Sequence, residues 1–545
     1  MDLPADHPQK LDALLKPWNN SDAPGFIVGV AHRGRTVYRR GFGLASIQQG
    51  QANTPQTRMR IGSTTKHFTC LAALLLAQEG RLDIDAPLRQ YLPELDSISG
   101  EPSLRECMLH TSGLRDPNDL LLPFLNKTWN HYPAPGHLLQ LANRVASLNF
   151  PRGERMIYCN QGYHLLSRVI ERISGQALGD FLRERILAPA GMHDTELLTS
   201  DHRLLPRLAD LHLKDGDGWR RGLFPSEELL GEGGMVSTVD DMLNWLARLR
   251  NPATAIGGST VWDQMLRKPR YSSGAEGDYC LGLIREQWRG IEIVHHAGGV
   301  IGGNSQMLAV PAHELDVIVL CNRNDASAPA LANQIVEALL GAAMEPFATP
   351  APRPGLLGRW YAPGSHRLIG LLETALPGNP DKVLAMSIQS QNMGALLERD
   401  GQWILNCSPH GRVTVTLPSE ERPQFLQGHD NGHAETWQRL PDNGPAAEVL
   451  AAELLGRYRD AELCLEAEVV LIDGGLHIDL LPATGHSRLH LTPYSLDVCG
   501  FVHESNAFAN YPVVGSLALE RENGRVTGLW LSTARTRNLH LLRSA

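Results

Sequence analysis

The feature that most constrains this chain's fold is an internal echo in its last third. "LLGRWY" begins at Leu356 and "LLGRYR" at Leu454, 98 residues apart. Each opens a run of short β-rich segments broken by Gly, Pro, Asn and Asp, and the two runs close alike, on "TWQRL" (436–440) and "NLHLLR" (538–543). Matching starts, lengths and ends predict two homologous small antiparallel β-barrels, over 355–441 and 446–545 and separated by "LPDNGPAAE". Upstream, "FATPAPRPG" (347–355) is Pro-rich and reads as an exposed linker. That leaves 1–346 as a domain of its own, as expected of 545 residues, too many for one hydrophobic core.

This first domain mixes strands and helices. "GFIVGVAHRGRTVYRRGFGLA" (25–45) is a hairpin signature with its turn at Arg33-Gly34. Three further strands are read at 291–299, 304–311 and 315–323. Between the two β regions lie helical patterns at 63–79, 136–148, 161–174 and 237–250, and a last helix follows at 329–341. A sheet assembled from both ends of the domain, with helices inserted between, is an α+β arrangement.

Hydrophobic residues at 42% and charged residues at 20% describe a globular chain. A net charge of -9 without a Lys/Arg stripe gives no footprint for nucleic acid. The N-terminus has no basic start followed by an apolar stretch, and no apolar run approaches the length of a membrane span. The eight cysteines are scattered and read as reduced thiols. The expected location is cytoplasmic.

Within "IGSTTKHFTCLAALLLAQEG" (61–80), Ser63 and Lys66 stand three apart, so they share one helix face. A lysine in the first turn faces the positive end of the helix dipole, where a carboxylate would be preferred. Burial there lowers the pKa of the amine and lets it take a proton from the serine, a general route to an activated nucleophile. "ERMIYCNQGYHLL" places Tyr158 and Asn160 just before a helix. A phenol near an ammonium can have its pKa lowered and serve as acid or base, and an amide can orient a carbonyl. "VHHAGG" gives His296, Gly298 and Gly299 on a strand whose small residues let a substrate backbone lie along its edge. The main-chain N–H groups of Ser63 and Gly299 are candidates for an oxyanion hole.

SxxK, YxN and HxG in this order resemble the penicillin-recognising serine hydrolases: class C β-lactamases, serine D-Ala-D-Ala carboxypeptidases and related esterases. "LHTSGLRD" (109–116) and "GEGGMVSTVDDMLNW" (231–245) resemble two further stretches of that family. A catalytic domain followed by two similar barrels resembles its D-aminopeptidase branch. The resemblance implies a β-lactamase-like domain with an antiparallel sheet flanked by helices, and no cofactor or metal. It implies Ser63 as the acylated nucleophile, Lys66 and Tyr158 sharing the acid/base work, Asn160 touching Lys66 and the substrate amide, and His296 on the edge strand facing Tyr158. It points to Arg221 as a basic residue near the pocket and to a loop of the last barrel, about 501–512, entering the site with Glu504 as the acid for a substrate ammonium.

The activity so implied is release of N-terminal D-amino acids from short peptides, amides or esters. Esterase or D-amino-acid amidase activity is the alternative on the same machinery, and a β-lactam or wall-peptide binding protein is the alternative of another class. β-Lactams are candidate inhibitors and a homodimer a candidate assembly. Where β-lactamases and carboxypeptidases usually place a lysine, this chain has His296, mostly neutral at pH 7 and so a weaker handle for a carboxylate. His429 and His433 have a metal-ligand spacing but no evident third ligand, and Cys159 reads as a small buried residue.

Overall fold

The computed structural model describes residues 2–125, 136–224, 227–250, 256–346, 348–375, 381–407, 411–483, 485–503 and 513–544. Arg33 and Gly34 both take positive φ, 50° and 74°. That tight turn matches the twist of its flanking strands and joins Phe26–His32 to Arg35–Phe42. The pair completes a six-stranded antiparallel sheet in the spatial order Ile284–Trp288, Ile291–Val300, Gly303–Val310, Leu315–Cys321, Phe26–His32, Arg35–Phe42. The two ends of the domain therefore meet in the middle of the sheet, where Phe26 pairs with Cys321.

Alternation along Phe26–His32 sends Phe26, Val28 and Val30 into one apolar layer with the helices His7–Leu15 and Ala328–Leu340. Ile27 and Ala31 face the other layer, which holds the buried helices Lys66–Gln78, Asn160–Ser174 and Val239–Leu249. Gly29 lets the last of these come close, since a Cβ there would stand 3.1 Å from Leu243. Thr238 caps that helix by accepting the Asp241 N–H at 3.3 Å. No helix among the described residues is long and apolar enough to cross a membrane.

The echo has a physical meaning. Gly358 and Gly456 open the first strand of each barrel at φ 132° and 138°, a region that favours glycine. In each barrel an arginine of the last strand lies over the aromatic two residues on, Arg439 over Trp360 and Arg543 over Tyr458. The same arginines donate to the backbone carbonyls of 355 and 357 in one barrel and of 453 and 455 in the other. Gly, aromatic and closing arginine thus fasten the first strand to the last in both units.

The outcomes differ. Eight strands from Gly456–Asp460 to Leu539–Arg543 form a closed barrel. The first unit is a nine-stranded sheet that curls until Gln391–Ala395 lies beside Gln402–Cys407, nearly closing. One expectation needs correction. The Pro-rich segment is not a free linker, because the Ala348 and Pro350 carbonyls accept from Glu398 and Leu384 and tie it to the first barrel. The stretch before the second echo holds a helix, Ala447–Leu454, whose Leu450, Ala451 and Leu454 join the core of the second barrel.

Candidate active site

Residues Gly62–Thr65 form a 3-10 turn that runs into the helix beginning at Lys66. In a 3-10 turn, residues three apart eclipse one another, which brings the Lys66 Nζ to 3.1 Å from the Ser63 Oγ. Lys66 is fully buried and Ser63 is half-buried. The amine also donates to the Asn160 Oδ1 at 2.8 Å and to the Glu232 carbonyl at 2.5 Å. Burial is the main cause that lowers the Lys66 pKa to about 7, opposed by the Glu232 and Asp116 carboxylates. As a free amine, Lys66 has two N–H bonds for Asn160 and Glu232 and one lone pair left for the Ser63 hydroxyl.

Asn160 is the first residue of the helix Asn160–Ser174, and its backbone N–H donates to the Asp116 carboxylate at 2.7 Å. Tyr158, just before it, is 2% exposed. The Lys66 Nζ lies 4.8 Å from the centre of its ring, and the His110 ring lies 4.1 Å away, tilted by 41°. His110 also accepts the Cys159 N–H at 3.0 Å, so "LHTSGLRD" forms the cradle of the YxN element. The sequence leads one to expect a lowered Tyr158 pKa. The structure reverses this: burial pushes it up, against the Ser63 hydroxyl and the nearby Arg535, and the phenol keeps its proton at neutral pH. Burial likewise pushes the Cys159 thiol up to about 12, leaving it unreactive at neutral pH.

His296 is fully buried on Ile291–Val300. Its Nδ1 donates to the Ala297 carbonyl at 2.6 Å, which leaves Nε2 to accept the Tyr279 hydroxyl at 2.9 Å. Burial, and after it the neighbouring Lys66, push its pKa well below the usual histidine value. The imidazole is neutral and committed at both nitrogens. It stands 6.4 Å from the Tyr158 ring, and its polar partner is Tyr279.

From His296 onward the strand pairs, among the described residues, only with Gly303–Val310 and turns its other edge to the Ser63 turn. A Cβ on Gly298 would meet the Ile61 carbonyl at 1.8 Å, so this glycine serves close packing. Gly299 has open space where a Cβ would stand, and the Cβ missing from Gly62 would lie 2.9 Å from the Gly299 N. The Gly299 amide and the Ser63 turn therefore share one corner beside an unfilled side of the strand.

Arg221 lies on the hairpin Leu211–Gly222, exposed and ion-paired with Asp210. Glu504 and the rest of 504–512 lie outside the described residues. The sequence reading missed Asp116, although its stretch had been singled out, and Arg535. Arg535 comes from the loop before the last strand of the second barrel and lies with its guanidinium carbon 5.1 Å from the centre of the Tyr158 ring. His433 pairs with Glu154 at 3.1 Å, and no group of three ligands for a metal occurs among the described residues.

Comparison with known proteins accords with this architecture. Residues 10–340 match the family described as Beta-lactamase. A D-aminopeptidase of Cereibacter sphaeroides is 28% identical over 540 residues, covering 96% of this chain and 95% of that protein. A D-aminopeptidase of Brucella abortus is 28% identical over 469 residues, 84% and 82% of the two chains. The octameric penicillin-binding protein homologue from Pyrococcus abyssi shares the fold over 99% of both chains, at a TM-score of 0.53 and 19% identity. The D-amino acid amidase from Ochrobactrum anthropi SV3 matches 61% of this chain and 98% of its own, at a TM-score of 0.52 and 23% identity. With a family match over more than half its length, the chain belongs to the β-lactamase family.

Proposed function

We propose that this chain is a serine hydrolase that works through an acyl-enzyme on Ser63 and releases N-terminal D-amino acids from short peptides, amides or esters. The observation that carries the chemistry is the buried Lys66 amine, 3.1 Å from the Ser63 hydroxyl, with a pKa near neutrality. Lys66 takes the serine proton as Ser63 attacks the substrate carbonyl. The backbone amides of Ser63 and Gly299 receive the developing oxyanion. Tyr158, protonated at neutral pH, gives its proton to the departing amine or alkoxide, and Lys66 resupplies it. Water then attacks the acyl-serine with the same groups in reverse roles. Asn160 holds Lys66 in place.

The D-amino acid preference draws on relatives named D-aminopeptidase whose likeness runs through both barrels as well as the first domain. The neutral, doubly bonded His296 accords with a substrate that presents an amine in place of a carboxylate. Glu504 is the proposed partner of that ammonium.

Steady-state kinetics on D-alanine p-nitroanilide, its L-isomer and short acyl esters test this. The D-amide is expected to have the highest kcat/KM, and Ser63→Ala to lower it by at least about 10³-fold. Full turnover by Ser63→Ala overturns the mechanism. Preference for the L-amide or for simple esters overturns the specificity.

A further inference from the structure

His296 leaves a gap in the electrostatics of the site. With both ring nitrogens engaged it is neutral and places no fixed positive charge beside Tyr158. A cation beside Tyr158 comes instead from near the end of the chain. Arg535 belongs to the loop between Arg525–Ser532 and Leu539–Arg543 of the second barrel. Its guanidinium lies over the Tyr158 ring and 3.8 Å from the Asp116 carboxylate. Asp116 holds the Asn160 backbone at 2.7 Å, and Asn160 holds Lys66 at 2.8 Å. Arg535, Asp116, Asn160 and Lys66 thus form one chain of contacts ending at Ser63.

The loop is built to stay in place. The Arg535 backbone N–H and the Thr533 hydroxyl both donate to the Asp119 carboxylate. The Arg537 N–H donates to the Asn149 Oδ1 at 2.8 Å, and the Arg115 guanidinium donates to the carbonyls of Arg537 and Asn538. These contacts hold one guanidinium against one phenol ring.

We propose that Arg535 is a positioning residue that the second barrel contributes to the site, where its positive charge, balanced by Asp116, biases Lys66 toward the free amine and so lowers the pH at which Ser63 is activated. The proposal rests on the reading of Ser63 and Lys66 above but not on the identity of the substrate. The carboxylates of Glu232, from the segment before Val239–Leu249, and of Asp116 both favour the Lys66 ammonium. The His110 and His296 rings and the Cys159 thiol that also face Lys66 are held neutral by burial. Among the strongest influences on Lys66, Arg535 is the fixed cation that opposes the two carboxylates. Burial disfavours its own charge, but Asp116 and Asp119 outweigh that and keep it protonated.

The charge of Lys66 can be read without any substrate, from the pH titration of its ¹³Cε resonance in full-length protein carrying ¹³C-labelled lysine. Loss of the signal in Lys66→Met assigns it. The wild-type midpoint is expected near 7. Arg535→Met, or Arg535→Gln should the first not fold, is expected to raise it by about one unit, roughly tenfold in proton affinity. Arg535→Lys should restore it, and Asp116→Asn should move it down. An unmoved midpoint in a folded neutral variant overturns the proposal, as does an Arg535→Lys protein that titrates like Arg535→Met. The two readings fail separately. A shift as expected without D-amide turnover removes only the substrate assignment, whereas D-amide turnover without a shift removes only the role of Arg535.

Discussion

The two barrels begin and close with the same devices, yet the first meets the N-terminal domain through a buried charge cluster, whereas the second adds a buried hydrocarbon seat to the polar anchors of the loop bearing Arg535. In the first, Arg155 reaches Glu435 at 3.0 Å and Asp430 at 3.7 Å, and Asp430 also holds Arg367 at 2.9 Å and Arg537 at 3.3 Å. One fully buried aspartate thus links both barrels to the domain. In the second, Leu120, Phe124, Leu141 and Val145 of the N-terminal domain enter the apolar core of the barrel itself. A charged junction fixes orientation, because removing one partner strands the rest. An apolar junction gains from area buried and adapts more readily to small changes of shape. The barrel that delivers Arg535 to Tyr158 is the one that combines apolar packing with polar anchors of its loop.

Substitutions can break this contrast. Asp430→Ala leaves three buried guanidinium groups short of their shared anion and is expected to cost about 3–5 kcal/mol in urea unfolding. A loss below about 1 kcal/mol would mean that the charged junction is incidental. Leu120→Ala opens a cavity in the second junction and is expected to cost about 2–4 kcal/mol. It should also lower kcat/KM, because the loop bearing Arg535 loses support, and unchanged kinetics would separate the loop from the docking surface. Gly358→Ala and Gly456→Ala test what the barrels share. Each is expected to cost about 1–2 kcal/mol, as a side chain is forced into a backbone region that glycine tolerates. A large difference between them would show that the two closures are not equivalent.

Much of this was legible in the chain because it depends on local patterns. The Arg33-Gly34 hairpin, the helices around Lys66 and Asn160 and the strand of His296 follow from periodicity and turn chemistry within short windows. The echo was legible because a strained glycine, an aromatic and an arginine must recur wherever the same closure is made. Charge states were not, because they depend on burial from all sides. Tyr158 beside a lysine reads as a phenol with a lowered pKa, but its desolvation outweighs its neighbours. Arg535 was not legible either, since "TARTR" has no motif and gains meaning only when the barrel sets it against Tyr158, 377 positions earlier. Gly298 and Gly299 look alike in sequence, yet only the first is pressed against Ile61.

The central claim is that the Ser63 hydroxyl is activated by a neutral, buried Lys66 amine. Rapid-quench mass spectrometry of the peptide containing Ser63, with a D-alanine ester as acyl donor from about pH 5 to about pH 9, tests it most directly. Below its pKa the ammonium has no lone pair for the serine proton. The acylation rate should therefore rise with pH through a midpoint near 7 and then level off, with no acyl adduct in Ser63→Ala. An acylation rate that is flat across this range, or an adduct that persists in Ser63→Ala, would contradict the account.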